Sequence, residues 1–374
     1  MLTVFCSPRR YTQGSNATLS LGKEMATLGL AGPALIVAGN SAIRLLSDTW
    51  RLSLGEAGFS WHMCQFGGEC SVAEIERVKR QAREQGVRVI VGAGGGKVLD
   101  TARAVAADLD LPVVNCPTVA SSDAPCSALS VVYTSDGSFL EYRIYGKNPD
   151  LVLVDTQVIA QSPPRLLVAG MGDALATWFE AKTCVEGHVR NMRGGASSAS
   201  ALALAELCYR ILLREGVDAL AALRNQSPTP ALECLVEANT LLSGLGFESS
   251  GLAAAHAVHN GLTAVPQTHS YFHGEKVAYG VLVQLVLEKK PQSLIDEVLD
   301  FATRVGLPKT LPAIGLAEMT SDMLDRIAAR STAEGETIHN EPFPVEPGMV
   351  AEAILAADAL GREWRHKHGV SAAG

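Results

Sequence analysis

Three side chains from distant parts of the sequence form a set that could hold a divalent metal ion. Asp173 has glycines close beside it in the segment GMGDALATWFE. His256 interrupts a run of small apolar residues in GLAAAHAVHNG, and His273 stands beside a glycine in YFHGEK. One carboxylate and two imidazoles with an open coordination position are what a catalytic divalent cation needs.

The spacing leaves the choice between neighbouring histidines open. His259 follows His256 by three residues, so both lie on neighbouring parts of one helix face and either could be the ligand. His269 and His273 present the same ambiguity. A single histidine usually makes ordinary hydrogen bonds. His259 and His269 therefore stay as candidates for a proton relay, a substrate contact or support of the true ligands.

A glycine-rich segment, Gly92–Lys97 (GAGGGK), lies between an apolar run and a helical pattern. Glycine lets the backbone approach a ligand closely, and the free N–H groups at a helix start favour an anionic pyrophosphate. Lys97 would add a positive charge. The segment is neither a GxGxxG fingerprint nor a P-loop, and tight packing of a helix on a strand is the alternative interpretation. We predict cofactor phosphates at Gly94, Gly95, Gly96 and Lys97.

The elements that must position these residues begin with an α/β domain. The sequence predicts four buried strands, at Ala34–Ala38, Val87–Val91, Leu111–Asn115 and Leu151–Val154. It predicts helices at Ser41–Leu54 and Val98–Ala107, and a hairpin whose arms, Ala128–Thr134 and Phe139–Ile144, flank Ser135–Ser138. Short apolar strands that alternate with helices indicate a parallel sheet with helices on both faces.

The character of the chain changes at Ser162-Pro163-Pro164, which predicts a boundary between domains 1–163 and 164–374. The second part is nearly all helical. Its clearest helical patterns are Ala199–Leu213, Pro230–Ser243 and Val277–Glu288. An α-helical C-terminal domain is therefore expected to carry the metal-binding residues.

Bulk composition excludes several classes of protein. With 374 residues, 47% hydrophobic and 19% charged, the chain is long enough for two globular domains. The net charge of −8 argues against a nucleic-acid partner. The sequence has neither a signal-peptide start nor a long uncharged apolar stretch, which argues against a membrane partner. Eight scattered cysteines without a CxxC pair are typical of reduced thiols in a cytoplasmic protein.

Long segments of the sequence carry a family resemblance. They are Pro117–Thr134, Gly170–Glu180, Gly246–Gly261, His273–Glu288 and Ala333–Asn340. Together with Gly92–Lys97, they resemble the glycerol dehydrogenase branch of the iron-containing (type III) alcohol dehydrogenase family. The resemblance implies a Rossmann-like N-terminal domain and an all-α C-terminal domain, a dehydroquinate synthase-like architecture. It also implies a homo-oligomer, often an octamer.

The same resemblance assigns roles to individual residues. The family's metal ligands fall on Asp173, His256 and His273, which favours His256 over His259. The substrate-contacting aspartate falls on Asp123, although Ser-Ser-Asp is also common turn chemistry. The family's cofactor contacts fall on Gly96, Lys97, Thr118, Ser121, Ser127, Leu129 and Tyr133. Members of this branch resemble zinc enzymes, and iron is the alternative.

One position departs from the family pattern. Gly39, in the segment IVAGN, stands where many glycerol dehydrogenases have an aspartate that binds the adenosine ribose. A carboxylate there repels a 2′-phosphate and selects NAD. With glycine, discrimination against NADP should weaken, so we expect NAD with NADP possible.

The reaction implied is hydride transfer between NAD and a small polyol, from glycerol to dihydroxyacetone. The metal would ease loss of the alcohol proton, and Asp123 would orient a hydroxyl. One alternative is a reductase of 2-oxo acids or other small carbonyls, similar to hydroxycarboxylate dehydrogenases. The sequence around Asp123 offers no positive residue for a substrate carboxylate. A dehydroquinate synthase-like lyase is the alternative of another class, but no basic residues for a phosphorylated substrate lie near Asp173.

Overall fold

The computed structural model describes residues 1–134 and 139–369. The chain divides into two compact units. The α/β unit comprises Cys6–Pro163 and Ala221–Gly244, and the helical unit comprises Met1–Phe5, Pro164–Leu220 and Leu245–Gly374. This division shares the break at Pro163–Pro164 with the predicted domain boundary. It differs in two segments, since residues 221–244 belong to the α/β unit and residues 1–5 to the helical unit.

A six-stranded parallel sheet forms the centre of the α/β unit. Its strands are β1 (Tyr11–Gly14), β2 (Ala34–Ala38), β3 (Trp61–Gln65), β4 (Val89–Gly94), β5 (Val113–Pro117) and β8 (Leu151–Asp155). They lie in the order β1-β8-β5-β4-β2-β3. Strands β6 (Leu129–Tyr133) and β7 (Phe139–Ile144) form a separate antiparallel hairpin.

Helices cover both faces of this sheet. Alternate strand residues point to opposite faces, and the apolar side chains on each face need to be buried. The α-helices before Pro164 are α1 (Leu21–Thr27), α2 (Asn40–Glu56), α3 (Val72–Glu84), α4 (Gly96–Asp108) and α5 (Thr156–Ala160). Ile36 packs with Trp50 and the rest of the α1–α2 face. Its neighbour Leu35 packs with Ile75 and the α3–α4 face. The apolar run of β2 is therefore buried on both sides.

From Pro164 onward the described chain is helical apart from its connections. Its α-helices are α6 (Pro164–Glu186), α7 (Ala199–Arg224), α8 (Pro230–Glu237), α9 (Ser243–Ser250), α10 (Ala254–Leu262), α11 (His273–Leu287), α12 (Gln292–Val305), α13 (Ser321–Ser331) and α14 (Pro347–Lys367). A π-helical stretch, Ala238–Leu242, follows α8. None of the described helices combines the length and the apolar character that crossing a bilayer requires.

The predicted fold class is confirmed, a parallel α/β part followed by a helical part. Several element boundaries were wrong. Strand β4 continues through the glycines to Gly94, because Gly92 and Gly94 pair with β5, and α4 begins at Gly96 rather than Val98. Strand β5 begins at Val113, two residues later than predicted. The hairpin arms are confirmed, while its predicted turn, Ser135–Ser138, lies outside the described residues.

The helices of the second part are longer or more divided than predicted. Helix α7 continues beyond the predicted end at Leu213 to Arg224. The predicted helix Pro230–Ser243 is divided into α8 and the π-helical stretch. Helix α11 begins at His273, one turn before the predicted start at Val277.

Candidate active site

Three helices of the helical unit approach one another closely because glycine occupies their contacts. A Cβ on Gly172 of α6 would lie 2.3 Å from the backbone oxygen of Gly274 in α11. A Cβ on Gly274 would lie 1.8 Å from the oxygen of Ala169, and a Cβ on Gly280 would lie 2.3 Å from the oxygen of Ala255 in α10. Only glycine permits this spacing. The packing places the first turns of α10 and α11 beside the middle of α6.

Asp173, His256 and His273 come together at this junction. The Oδ1 atom of Asp173 lies 3.4 Å from Nε2 of His256 and 3.0 Å from Nε2 of His273. Asp173 is completely buried and the His256 side chain is 11% exposed, whereas the His273 side chain is 44% exposed. The cluster is therefore closed on its protein side and accessible past His273.

The donor set and the distances fit a divalent cation. One ligand atom from each of the three residues lies within 4.8 Å of the others. Ligand atoms bound at about 2.0–2.2 Å around a tetrahedral ion lie roughly 3.3–3.6 Å apart. The two distances between Asp173 and the imidazoles are close to that spacing.

Glu180 fixes the orientation of His256. One carboxylate oxygen accepts hydrogen bonds from the backbone N–H groups of Ala253 (2.8 Å) and His256 (2.9 Å). The other oxygen lies 2.6 Å from Nδ1 of His256. A carboxylate can only accept, so Nδ1 carries a proton and Nε2 is the atom available to a metal.

The start of α10 is held by side chains from elsewhere in the helical unit. Besides the two bonds to Glu180, the N–H of Ala254 donates to Glu341 (3.2 Å) and that of Ala255 donates to Gln284 (3.0 Å). Free N–H groups at a helix start need such partners when they are buried. His256 lies in this first turn, so the caps also fix its position.

A second chain of hydrogen bonds holds His273. Nδ1 of His273 lies 3.0 Å from Nε2 of His259, and Nδ1 of His259 lies 3.1 Å from Oδ1 of Asn260. The Asn260 amide nitrogen donates to Glu336 (2.9 Å), which makes Oδ1 the acceptor for His259. His259 therefore donates from Nδ1 to Asn260 and accepts at Nε2. Nδ1 of His273 is the donor of that second hydrogen bond. Nε2 of His273 then faces Asp173.

Electrostatics keep the carboxylate ionised. Burial alone would raise the pKa of Asp173, but the electrostatic influence of His273 and hydrogen bonds from both imidazoles hold this pKa well below its usual range. Burial alone would lower the pKa of His256, but Glu180 and Asp173 raise it well above the ordinary value. Burial, reinforced by the electrostatic influence of His273 and Lys276, lowers the pKa of His259 well below its usual value. His259 is therefore a neutral imidazole.

The other residues predicted for the reaction have partners of their own. His269 is exposed, and its Nε2 lies 3.0 Å from the backbone oxygen of Thr263, so it is not part of the cluster. Asp123 belongs to the α/β unit and is 9% exposed. The Ser243 hydroxyl donates to its carboxylate (3.2 Å).

The glycines of the predicted phosphate loop have two different roles. A Cβ on Gly92 would lie 2.7 Å from the Cβ of Ala102, and a Cβ on Gly94 would lie 2.7 Å from a methyl of Val98. These two glycines therefore let α4 pack closely on β4. A Cβ on Gly95 or Gly96 would have no neighbouring atom closer than 3.5 Å. No side chain among the described residues caps α4. The uncapped start of α4 can accept a phosphate.

Lys97 is less available than its sequence position indicates. Its Nζ atom lies 2.6 Å from Oε2 of Glu69, and 5.3 Å from the centre of the Tyr133 ring. A ligand would compete with Glu69 for this ammonium, although the Lys97 side chain is 51% exposed and the pair is screened by solvent. The backbone N–H groups at the start of α4 attract an anion whether or not Lys97 leaves Glu69.

The remaining predicted cofactor residues follow the carboxyl ends of the sheet or flank the hairpin. They are Thr118 and Ser121 after β5, Ser127 before β6, and Leu129 and Tyr133 at the two ends of β6. The Ser127 hydroxyl is buried, donates to the oxygen of Ala124 (3.3 Å) and accepts from Arg103 (3.1 Å). These hydrogen bonds give Ser127 a structural role whether or not a cofactor is bound.

The groups that cap α10 were not predicted from the sequence. Glu180 lies seven residues after Asp173 on α6, and therefore two turns along the same helix face. That spacing was a usable signal. Gln284 and Glu341 gave none, because only the packing of separate segments brings them to the start of α10.

Comparison with known proteins finds similarity over both units. Residues 8–156 match the family described as iron-containing alcohol dehydrogenase. The chain is 50% identical to a glycerol dehydrogenase of Citrobacter freundii, over 97% of this chain and 99% of that protein. It is 46% identical to a glycolaldehyde reductase of Halobacterium salinarum, over 98% of this chain and 100% of that protein.

A solved structure agrees with these sequence relatives. The crystal structure of glycerol dehydrogenase from Schizosaccharomyces pombe is similar to this chain with a TM-score of 0.94 at 37% identity. The similarity covers 99% of this chain and 93% of that one. It therefore includes the segments that carry Asp173, His256 and His273.

Proposed function

This chain belongs to the iron-containing alcohol dehydrogenase family, and from that premise we propose that it transfers a hydride between NAD and a small polyol, oxidising glycerol to dihydroxyacetone. The observation that carries the proposal is the junction of Asp173, His256 and His273, where one carboxylate and two imidazoles meet beside an accessible face. The identity of about 50% to glycerol dehydrogenases supports the choice of substrate.

Asp173, His256 and His273 would hold the metal ion. Zinc is the proposed ion, and ferrous iron is the alternative, because histidine and carboxylate ligands suit both. When bound, the divalent cation would stabilise the negative charge that develops as the alcohol loses its proton.

The chain's own residues prepare that site. Asp173 provides a permanently ionised oxygen in a buried position. Glu180 and His259 hold Nδ1 of the two ligand imidazoles as donors, so both Nε2 atoms face Asp173. Side chains held in this way need no reorganisation when a substrate arrives.

The start of α4 is the proposed site for the cofactor pyrophosphate, with the N–H groups at Gly96 and Lys97 as donors. NAD is the proposed cofactor. Gly39 caps α2 and has nothing within 4 Å of the position that a Cβ would occupy. This open space has no carboxylate to repel a 2′-phosphate, so NADP should be accepted as well, with NAD preferred.

Asp123 is the proposed contact for a substrate hydroxyl. Its carboxylate is buried and is oriented by Ser243, which suits a fixed hydrogen-bond acceptor. An acceptor of this kind would favour a polyol over a simple alcohol, because a second hydroxyl supplies the donor.

The proposed working form is a cytoplasmic homo-oligomer, with the octamer as the expected assembly. Free cysteines and the absence of a membrane-crossing helix among the described residues are consistent with that location. Size-exclusion chromatography with light scattering would give the assembly state directly.

One alternative has an observation in its favour. The similarity to a glycolaldehyde reductase supports reduction of a small carbonyl as the main direction. A 2-oxo acid would also need a cation for its carboxylate. No observation favours a dehydroquinate synthase-like lyase, since the near-full-length relatives named above are oxidoreductases.

Steady-state kinetics on the purified protein tests the proposal. Glycerol and 1,2-propanediol should be oxidised with a higher kcat/KM than 2-hydroxybutyrate, and NAD should be preferred to NADP. Asp173→Asn should lose activity, whereas Asp48→Asn, at an exposed position on α2, should not. No NADH production from any polyol would reject the proposal, and a glycolaldehyde rate far above every polyol rate would favour the alternative.

A further inference from the structure

A polar cavity of about 680 Å³ lies in the helical unit, and none of the three candidate metal ligands lines it. Its walls come from the start of α6, the segment before α11, the connection after α12, and α14. The connection contributes Gly306–Thr310, and α14 contributes Arg365. Cavities of this size hold small-molecule ligands in other proteins.

The charges on the cavity wall do not balance. Three cations line it, Arg165, Lys309 and Arg365, against one carboxylate, Glu275. The negative charge of Glu275 is offset by Arg165, which donates two hydrogen bonds of 2.6 and 2.8 Å to its carboxylate. Lys309 and Arg365 make no ion pair among the described residues. The wall therefore carries two positive charges that the protein does not neutralise.

A lysine without an ion pair is unusual at the position of Lys309, because this residue is only 8% exposed. Its pKa is lowered by burial and, second, by the positive charge of Arg365. A buried cation without a counter-charge is costly to the folded state. An anionic ligand would remove that cost.

Thr310 provides a third polar group on the same wall. It is completely buried, and its Oγ1 atom has no hydrogen-bond partner within the described part of the chain. Buried hydroxyls nearly always have a partner. Rotation of the Thr310 side chain towards the cavity, which Thr310 lines, would let a ligand oxygen provide one.

The segment that carries these groups packs tightly against α14. A Cβ on Gly361 of α14 would lie 1.9 Å from the backbone oxygen of Lys309, so the two backbones are in direct contact. The N–H of Leu311 donates to Asp358 of α14 (2.8 Å). Pro308 lies directly before Lys309 in the sequence. Both side chains are thus carried on a backbone held against α14, which lowers the entropy lost on binding.

We propose that this cavity binds a phosphate dianion, free or as a monoester, through the Lys309 ammonium, the Arg365 guanidinium and the Thr310 hydroxyl. Two uncompensated cations match a dianion in charge, and a tetrahedral phosphate offers acceptors to all three groups. The volume exceeds that of the phosphate alone and leaves room for an organic substituent. This site is independent of the proposed dehydrogenase reaction.

Calorimetric titration of the intact enzyme tests the proposal. Inorganic phosphate and phenyl phosphate are titrated with NAD at saturation, so that the cofactor loop is occupied, and with ionic strength matched by sodium chloride. Phosphate should bind at one site per chain. Tighter binding of phenyl phosphate identifies a monoester site, and equal binding identifies a site for the phosphate group alone.

Three variants place the binding in the cavity. Lys309→Met and Arg365→Met should each weaken binding at least tenfold, and Thr310→Val should weaken it about threefold. Arg80→Met removes the same charge from an exposed position on α3 and should bind as the wild type does. Each variant is compared by its melting temperature, and Lys309→Met should melt no lower than the wild type without phosphate.

Other results would overturn the proposal. Absence of saturable phosphate binding rejects the site. Equal weakening in Arg80→Met and Arg365→Met shows nonspecific attraction to positive charge. If both Lys309→Met and Thr310→Val bind phosphate with unchanged affinity, the phosphate binds outside this cavity, for example at the candidate metal centre.

Discussion

The substitution Glu180→Gln should weaken metal binding although it changes no candidate ligand. Glu180 accepts three hydrogen bonds in the structure, two from backbone N–H groups at the start of α10 and one from Nδ1 of His256. A carboxylate satisfies all three because both of its oxygens accept. An amide has one oxygen and one NH₂ group, so it cannot.

Either orientation of the amide is unfavourable. If its oxygen faces the backbone N–H groups, the NH₂ group faces Nδ1 of His256 and requires an acceptor there. The imidazole must then carry its proton on Nε2, the atom that should face the metal. If the amide turns round, its NH₂ group opposes the N–H groups of Ala253 and His256, and the start of α10 loses two hydrogen bonds.

The magnitude follows from this geometry. Loss of a hydrogen-bonding partner behind a metal-bound histidine typically costs 10- to 100-fold in metal affinity, about 1.4 to 2.7 kcal/mol. The bond of Glu180 to Nδ1 is short, at 2.6 Å, and both side chains are buried. We therefore expect a value near the upper end, roughly 100-fold.

Zinc affinity measured by competition with a chelator gives the result, and Glu341→Gln is the matched control. Glu341 also caps α10, through the N–H of Ala254, but it contacts no candidate ligand. Its pKa is raised to about 9 by burial and by the neighbouring Glu288, so its side chain is neutral at pH 7. Glutamine keeps the acceptor and the neutral charge, and the zinc affinity of Glu341→Gln should equal that of the wild type.

Two results would refute this reasoning. Wild-type zinc affinity in Glu180→Gln would show that the carboxylate does not set the proton position on His256. Equal losses in Glu180→Gln and Glu341→Gln would show that general weakening of α10, rather than the imidazole proton, controls the metal.

Three other substitutions test separate parts of the structure. Gly274→Ala should lower the free energy of unfolding by about 3 kcal/mol, because the methyl carbon would lie 1.8 Å from a carbonyl oxygen of α6. Its melting temperature should fall well below that of Gly348→Ala, where the position is open, and equal values would contradict the close packing. Gly39→Asp should lower the ratio of kcat/KM with NADP to that with NAD by about tenfold, since a carboxylate repels the 2′-phosphate. An unchanged ratio would show that the adenosine ribose does not bind beside residue 39. The folded pKa of Glu341, about 9, lies above the free value of 4.5, so folding retains a proton and the wild type loses stability as pH rises through this range. Glu341→Gln should abolish this loss, which is worth at most about 1.4 kcal/mol per pH unit. Melting curves at pH 5 and pH 8 measure it. An equal change in melting temperature between the two pH values in both proteins would disprove the pKa shift.

Sequence patterns predicted the interior of the sheet better than its edges. Strand β2 is apolar throughout and buried on both faces, so it was recognised with its correct limits. Strands β1 (YTQG) and β3 (WHMCQ) lie at the two edges of the sheet and carry polar side chains, so they gave no apolar run. Edge strands are only partly buried, which removes the signal used to find them.

Helical spacing could not choose among the histidines, because His256 and His259 share a helix face. The structure separates them by their partners. His256 has its Nε2 beside Asp173, and His259 has its Nε2 beside His273. These contacts depend on glycines at the helix crossings and on Glu180, which come from separate segments. Only the resemblance to a family singled out His256 before the structure did.

The glycine run shows a similar limit. Its composition indicated one loop, yet Gly92 and Gly94 belong to β4 and leave space for α4, while Gly95 and Gly96 form the open helix start. Both interpretations given by the sequence, close packing and anion binding, therefore apply to different glycines. Pairing with β2 and β5 decides the division, and a single sequence does not reveal that pairing.

Crystallographic anomalous scattering, recorded above and below the zinc absorption edge on crystals soaked in zinc, tests the central claim most directly. We expect one strong peak about 2.0–2.2 Å from a carboxylate oxygen of Asp173 and from Nε2 of His256 and His273. A peak bound instead by His259 or His269, or no peak near Asp173, would contradict it.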